Sequence, residues 1–470
     1  MTTLSPNPAM QDLNLTFQES TLIFPSQKTE KKSIFLSNID QILNYNIPTA
    51  HFFSANSEFP PEIVTKRLKM ALEKVLVPYD FMAGRLRLNH EEGRLEIDCN
   101  RAGAGFVVAT STYSLHEIGD LVCPNLGFRQ LAVQRLEDLA TEEDQPLCIF
   151  QITTFKCGGF AIGMSVSHVL FDGIAAKTFK DNLASQAFSD EKPFSVTPCL
   201  DRHLLAARSP PVVKFPHPEF FKPDLPTSGA PPTFDCKREE LQFKVFQLTP
   251  NDINLLKRET FRDGTNKSAV TSFSVLAALI WRCKALSSYI EDRESTLLNV
   301  VDIRSRVNPP LPSSYCGNAV LVAFATAKCS DIKKVSFSDL TDLVTEGPKR
   351  VTDEYAKSVI DWLEINKGLP CGEYMVSSWM RLGFEQVEYP WGKPVHCGPI
   401  VSHRKDICWV FPDSNGMINA LVSLPADEME RFEFQVREFF EIITKVKEEV
   451  KVSPILPQES GNSSVDVIIN

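Results

Sequence analysis

Between Asp190 and Asp235 the chain carries prolines at positions Pro193, Pro198, Pro210, Pro211, Pro216, Pro218, Pro223, Pro226, Pro231 and Pro232. Proline lacks the backbone N–H that helix interiors and sheet ladders need, so no long helix or central strand can cross this stretch. A chain of 470 residues also exceeds the size at which one hydrophobic core stops growing. Together these features predict two folded units joined by a proline-rich crossover: residues 1–190, a crossover over 191–235, residues 236–452, and a flexible tail over 453–470. No internal repeat is present, which removes solenoids and propellers.

Both halves mix the two hydrophobic periods. Before the crossover, Ser20 to Pro25 reads as a short strand, and Pro60-Pro61-Glu62 opens a helix whose Val64, Leu68, Ala71, Leu72 and Val75 keep helical spacing. Met82 to Leu86 and Arg94 to Asp98 form a predicted hairpin around the polar segment Asn89 to Gly93. The cleanest alternation runs from Phe160 to His168, with Phe160, Ile162, Met164, Val166 and His168 on one face of a buried strand. After Gly173 the period becomes helical, with Ile174, Phe179 and Leu183 as the apolar stripe. In the second half, a helix is predicted over Ser272 to Leu286, a strand near Leu297 to Ile303, helical pattern from Ser336 to Ile365 broken at Pro348, and a surface helix beyond Asp427.

Charge and composition exclude several functions. The 49 basic residues are outnumbered by 59 acidic ones, for a net charge of −10, and no basic stripe runs along the chain, so nucleic acid is not an expected partner. Met1 to Leu15 lacks the parts of a secretory signal, and no segment approaches the ~20 apolar residues that span a bilayer. The 12 cysteines form no CxxC pair, and the histidines His51, His90, His116, His203, His217, His396 and His403 show no HxxxH or HExxH spacing. The expectation is a reduced, cytosolic protein with neither disulfides nor a bound metal.

One segment asks for a chemical explanation. In His168-Val169-Leu170-Phe171-Asp172-Gly173 a histidine ends a strand four residues before an acid that starts a helix. In isolation this is also the pattern of a satisfied core histidine followed by a helix-capping aspartate. The wider sequence decides. Glu388-Tyr389-Pro390-Trp391-Gly392-Lys393-Pro394, Val301-Asp302-Ile303-Arg304-Ser305-Arg306 and Tyr315-Cys316-Gly317-Asn318 stand with His168 to Gly173 in the order of the signature segments of the BAHD acyltransferases. The chain resembles this plant family from about Ser20 to Phe432, and within it the subgroup that holds GLAUCE and the omega-hydroxypalmitate feruloyltransferase-like members.

The resemblance implies an α/β fold of two chloramphenicol-acetyltransferase-like domains, with mixed sheets flanked by helices and a solvent channel between them. It implies a monomeric, cytoplasmic O-acyltransferase of plant specialised metabolism that uses acyl-CoA as a co-substrate, with no resident cofactor and a small alcohol, or an amine, as acceptor. A neutral imidazole, with an ordinary pKa near ~6.5, suits removal of a hydroxyl proton at cytosolic pH, so His168 is the expected general base. No covalent acyl-enzyme is required. By resemblance Trp391 lies near the channel, where its indole N–H could meet an oxyanion or its ring could pack the loop. Asp172 is implied to be structural and salt-bridged to an arginine, assigned here as Arg304; Gly173 and Gly392 complete the structural set. Arg381 matches the position that holds the carboxylate of acidic acceptors, a task that suits a guanidinium fork. Lys267, Ser272 and Lys393 are candidates for the CoA side.

The second signature departs from the family's usual Asp-Phe-Gly at Glu388, Tyr389 and Pro390. That departure keeps open an alternative, a non-catalytic accessory protein of fatty acid elongation, whose function would survive loss of His168. A peptide-synthetase condensation domain would need a second histidine where Ser167 stands.

Overall fold

The computed structural model describes residues 1–6, 10–139, 141–188, 193–223, 240–261, 270–288, 293–400, 404–413 and 415–452. Lys267, the segment 224–239 and the tail from residue 453 onward lie outside the described residues.

Two mixed sheets dominate. The first has six strands in the order His396–Pro399, Asn46–Phe53, Phe160–Ser167, Cys148–Thr154, Ala104–Ser111, Leu15–Ile23. Only Ala104–Ser111 and Cys148–Thr154 run parallel in it. The second has seven, in the order Thr2–Leu4, Gln242–Leu248, Ile418–Leu424, Ile407–Pro412, Tyr374–Ser378, Glu294–Asp302, Val320–Lys328. Neither sheet is built from one half of the chain: Thr2–Leu4 pairs antiparallel with the strand Gln242–Leu248, and His396–Pro399 pairs antiparallel with Asn46–Phe53.

Helices close each sheet as amphipathic spacing requires. Pro61–Val75 buries Val64, Leu68, Ala71, Leu72 and Val75, the five residues whose period announces it, in a core shared with Phe160, Ile162, Met164, Phe179 and Leu183. Ser272–Leu286 is apolar almost all round and lies at the centre of the second core, which takes up Leu297, Val344, Val410 and Val422. The pattern over Ser336 to Ile365 becomes two helices, Phe337–Arg350 and Asp353–Asn366, with Pro348 in the last turn of the first. Thr352, between them, caps the second.

Other expectations shift. The strand expected over Ser20 to Pro25 runs instead from Leu15 to Ile23. Met82 belongs to a short 3₁₀ turn, Asp80–Ala83, and the hairpin strand starts at Arg85. The final helix, Ala426–Val452, is not confined to the surface: Met429, Phe432, Val436 and Ile443 are buried in the second core. Its dense acidic and basic residues hide that stripe in the sequence.

The described part of the crossover is fastened to the helix Asp353–Asn366. The Arg208 guanidinium reaches Asp361 at 2.6 Å and Glu354 at 2.8 Å. Buried His217 sits between Glu219 at 3.2 Å and the Ser358 hydroxyl at 2.9 Å, while Tyr355 donates its hydroxyl to Glu219 at 2.6 Å.

Gly163, midway along the strand that leads to His168, has no room for a side chain. An added Cβ would stand 1.7 Å from the carbonyl oxygen of Leu131, a backbone atom that cannot swing aside. Gly163→Ala is therefore expected to destabilise the protein by at least about 3 kcal/mol, the upper end of ordinary overpacking. A urea-unfolding midpoint, or loss of soluble yield, measures this.

Candidate active site

The strand Phe160–Ser167 ends one residue before His168, and the helix Gly173–Gln186 begins one residue after Asp172. The turn between them is held at nearly every backbone position. His168 donates its N–H to the carbonyl of Tyr45 at 2.8 Å, and its own carbonyl accepts from Asn318 Nδ2 at 2.7 Å. Arg202 donates to the carbonyl of Val169 at 2.6 Å and to that of Leu170. Arg202 and Asn318 converge on Asp40: Arg202 Nη1 is 3.1 Å from Asp40 Oδ1, with both side chains fully buried, and Asn318 Nδ2 donates to the same oxygen at 2.8 Å. Charges this deep persist only when paired and hydrogen-bonded, and here they set the path of the turn that carries His168.

Asp172 points away from the imidazole. Its carboxylate caps the helix by accepting from the N–H groups of Ile174 at 3.2 Å and Ala175 at 3.1 Å. It also accepts from Ala319 at 2.9 Å and takes a two-pronged contact from Arg304, at 2.8 and 2.9 Å. Arg304 is therefore within salt-bridge distance, and it makes a second contact to Asp302 at 3.0 Å. Gly173 opens the helix with a hydrogen where an added Cβ would stand 2.6 Å from Leu382 Cδ1.

The His168 ring is half-buried and lies against Tyr45, with ring centres 5.4 Å apart. Nδ1 is turned inward and buried, whereas the ring lines a cavity of about 820 Å³. Burial pulls the imidazole below its ordinary pKa, against the upward pull of its own backbone, the Asp172 charge and Asn318. The imidazole is therefore neutral at and above neutral pH, with a lone pair available. The cavity draws walls from both sheets: Ile47, Met164 and Val166 from the first, Val300, Val322 and Ile407 from the second. It is an apolar, two-sided chamber with an unprotonated imidazole on its wall. Such a chamber can hold two substrates and take a proton from one of them.

The remaining expected site residues do not all gather here. Arg381 lines the cavity and is exposed. Ser272 is the first residue of its helix but is not on the cavity wall; its neighbours Thr271 and Ser274 are, joined by a 2.8 Å hydrogen bond. Lys393 and Glu388 are exposed and face each other at 3.8 Å, away from the cavity. Gly392 closes the turn after Tyr389 with φ +108°, a conformation that glycine adopts without cost.

The structure places Trp391 in the first core. The indole is 5% exposed and is not on the cavity wall. It stacks on Tyr389 at 5.0 Å and meets Phe53 and Phe160 edge-on in the first core. Packing among these rings holds the indole in the core and off the chamber wall. Trp391→Phe is expected to keep turnover within a few-fold of wild type and to lower the melting temperature, both readable in one thiol-release assay and one thermal scan.

Comparison with known proteins identifies relatives along most of the chain. Residues 13–439 match the model of the Transferase family. The acyltransferase GLAUCE of Arabidopsis thaliana is 52% identical over 441 residues, 91% of this chain and 97% of that protein. The omega-hydroxypalmitate O-feruloyl transferase of Arabidopsis thaliana is 31% identical, over 89% of this chain and 92% of that protein. Among solved structures, vinorine synthase superposes with a TM-score of 0.71 at 23% identity, covering 89% of this chain and 96% of its own. F. graminearum TRI101 complexed with coenzyme A and T-2 mycotoxin superposes at 0.68 and 15% identity, over 85% and 96%.

Proposed function

Since the chain belongs to the Transferase family, the BAHD acyltransferases, we propose that it moves an acyl group from an acyl-CoA thioester onto the hydroxyl of a small acceptor, with His168 as general base. The reading rests on one observation above the others: a neutral imidazole, anchored through its backbone, on the wall of a chamber lined from both sheets.

In this mechanism the acyl donor and the acceptor occupy the chamber together. With its inward Nδ1 carrying the proton, the ring offers the Nε2 lone pair to the acceptor hydroxyl. As that proton leaves, the oxygen attacks the thioester carbonyl and a tetrahedral intermediate forms. Its collapse breaks the carbon–sulfur bond, and the imidazolium returns the proton to the departing thiolate, giving the ester and free CoA thiol. No bond to the enzyme forms at any stage. Beside Ser272, Thr271 and Ser274 bring hydroxyls to the wall that could meet the CoA arm.

Asn318 and Asp40 serve this base indirectly. They hold the carbonyl of His168 and thereby its ring, so that little reorganisation is left for the moment of reaction.

The test is to incubate the purified protein with a panel of acyl-CoAs and small alcohols and follow free thiol. Acceptor-dependent thiol release is the expected result. Its absence across the panel, with function in fatty acid elongation retained after His168→Ala, would replace this reading by the accessory one.

A further inference from the structure

Two turns into the helix that Asp172 caps, Lys180 enters the wall of the same chamber. Its side chain is buried, yet among the described residues no carboxylate stands within ion-pair distance of it. The nearby Asp181 is taken by Lys177, at 2.6 Å. Lys180 Nζ instead lies 3.0 Å from His51 Nε2 and 3.7 Å from the centre of the Phe384 ring. Cys397 Sγ is 3.6 Å from the same His51 nitrogen.

None of these neighbours brings a negative charge. Burial and the Lys180 charge hold His51 well below its ordinary pKa, so it is a neutral acceptor. Burial pushes the Cys397 thiol up to about 12, so it stays protonated. Burial also draws Lys180 down to about 8, which leaves it mostly an ammonium at neutral pH. An ammonium has three donors; His51 takes one and the Phe384 face meets the charge, with donors left over beside the chamber. A buried cation without a counter-ion is costly, and a ligand that supplies the missing charge relieves part of that cost, less its own desolvation. Thr49, two residues before His51 and on the same face of its strand, lines the chamber as well.

We propose that Lys180, backed by His51, is a seat for a carboxylate carried by a substrate bound in the chamber. The proposal deepens the acyl-transfer reading by naming a substrate class, and it assigns the recognition to a residue of the chamber's buried wall, distinct from the exposed Arg381.

Trp379 and Trp409 both line the chamber, so tryptophan fluorescence reports its occupancy without turnover. Full-length protein is titrated with 3-hydroxybenzoate and with its methyl ester, and separately with malonyl-CoA and acetyl-CoA. Wild type is expected to prefer the acid to the ester by about 10- to 100-fold, the worth of one charge-assisted hydrogen bond. Lys180→Met should erase the preference, Lys180→Arg should keep part of it, and Arg381→Ala should leave it in place. A preference confined to the CoA pair assigns the carboxylate to the acyl group; one seen with the free acid assigns it to the acceptor. An unchanged preference in Lys180→Met, or its loss in Arg381→Ala alone, overturns the proposal. Should Lys180→Met fail to fold, a wild type that binds acid and ester alike, and malonyl-CoA and acetyl-CoA alike, overturns it equally. The preference should persist in His168→Ala, so failure of the seat and failure of the transfer reading give different results.

Discussion

Replacing His168 with alanine is expected to slow acceptor-dependent thiol release by about 10²–10⁴-fold, the usual worth of a positioned general base. The loss should fall on kcat rather than on KM, because the imidazole acts on a proton that moves only in the transition state. Stability should change little, because the ring is half-buried and the backbone hydrogen bonds, from the His168 N–H to Tyr45 and from Asn318 to the His168 carbonyl, are kept by alanine. The pH dependence follows from the direction of the pKa shift. The active form is the neutral imidazole, and burial lowers the pH at which that form is lost. The acid limb of kcat/KM should therefore lie below the ordinary histidine value of ~6.5, with a flat profile across neutrality. A folded His168→Ala protein with near-wild-type turnover would remove His168 from the mechanism.

Asp172→Ala should unfold the protein more readily, by about 3–5 kcal/mol, the range found when one member of a buried ion pair is removed. The reason is local. The carboxylate serves Arg304, two helix N–H groups and the N–H of Ala319 at once, and its removal leaves a guanidinium 8% exposed whose remaining carboxylate partner among the described residues is the half-exposed Asp302. Asp172→Asn retains capping capacity but not the charge, so it should cost less. Urea-unfolding midpoints give the comparison, and thiol release per folded molecule completes it. If Asp172→Asn leaves the midpoint untouched while turnover collapses, the residue takes part in the chemistry and its structural assignment is wrong.

Much of this arrangement could be read in advance because it is local. The alternation over Phe160 to His168, the stripe on Pro61–Val75 and the capping position of Asp172 depend on neighbours within a few residues, where periodicity is informative. The Arg304 partner came from likeness to a family, not from spacing, since 132 residues separate it from Asp172. Relations of that range leave no pattern in the local sequence. Asp40 and Arg202 look in sequence like surface charges, the first within the short helix Asn38–Gln41 and the second amid prolines; only the fold brings them together under the His168 turn. Asn318 ends the family-like segment Tyr315 to Asn318, and that likeness is its one signal in the sequence. Trp391 shows the same limit from the other side: the motif points to a ring near the channel, while the aromatic neighbours that bury it come from distant strands.

The exchange of edge strands bears on how such a chain is made. Until residues 396–399 leave the ribosome, the strand Asn46–Phe53 has one side without a partner, because His396–Pro399 is what covers it. An open edge invites pairing with other chains. A polypeptide cut off at the prolines would carry that edge permanently and associate, whereas cleavage of the crossover in the finished protein should leave two fragments that stay together until denatured.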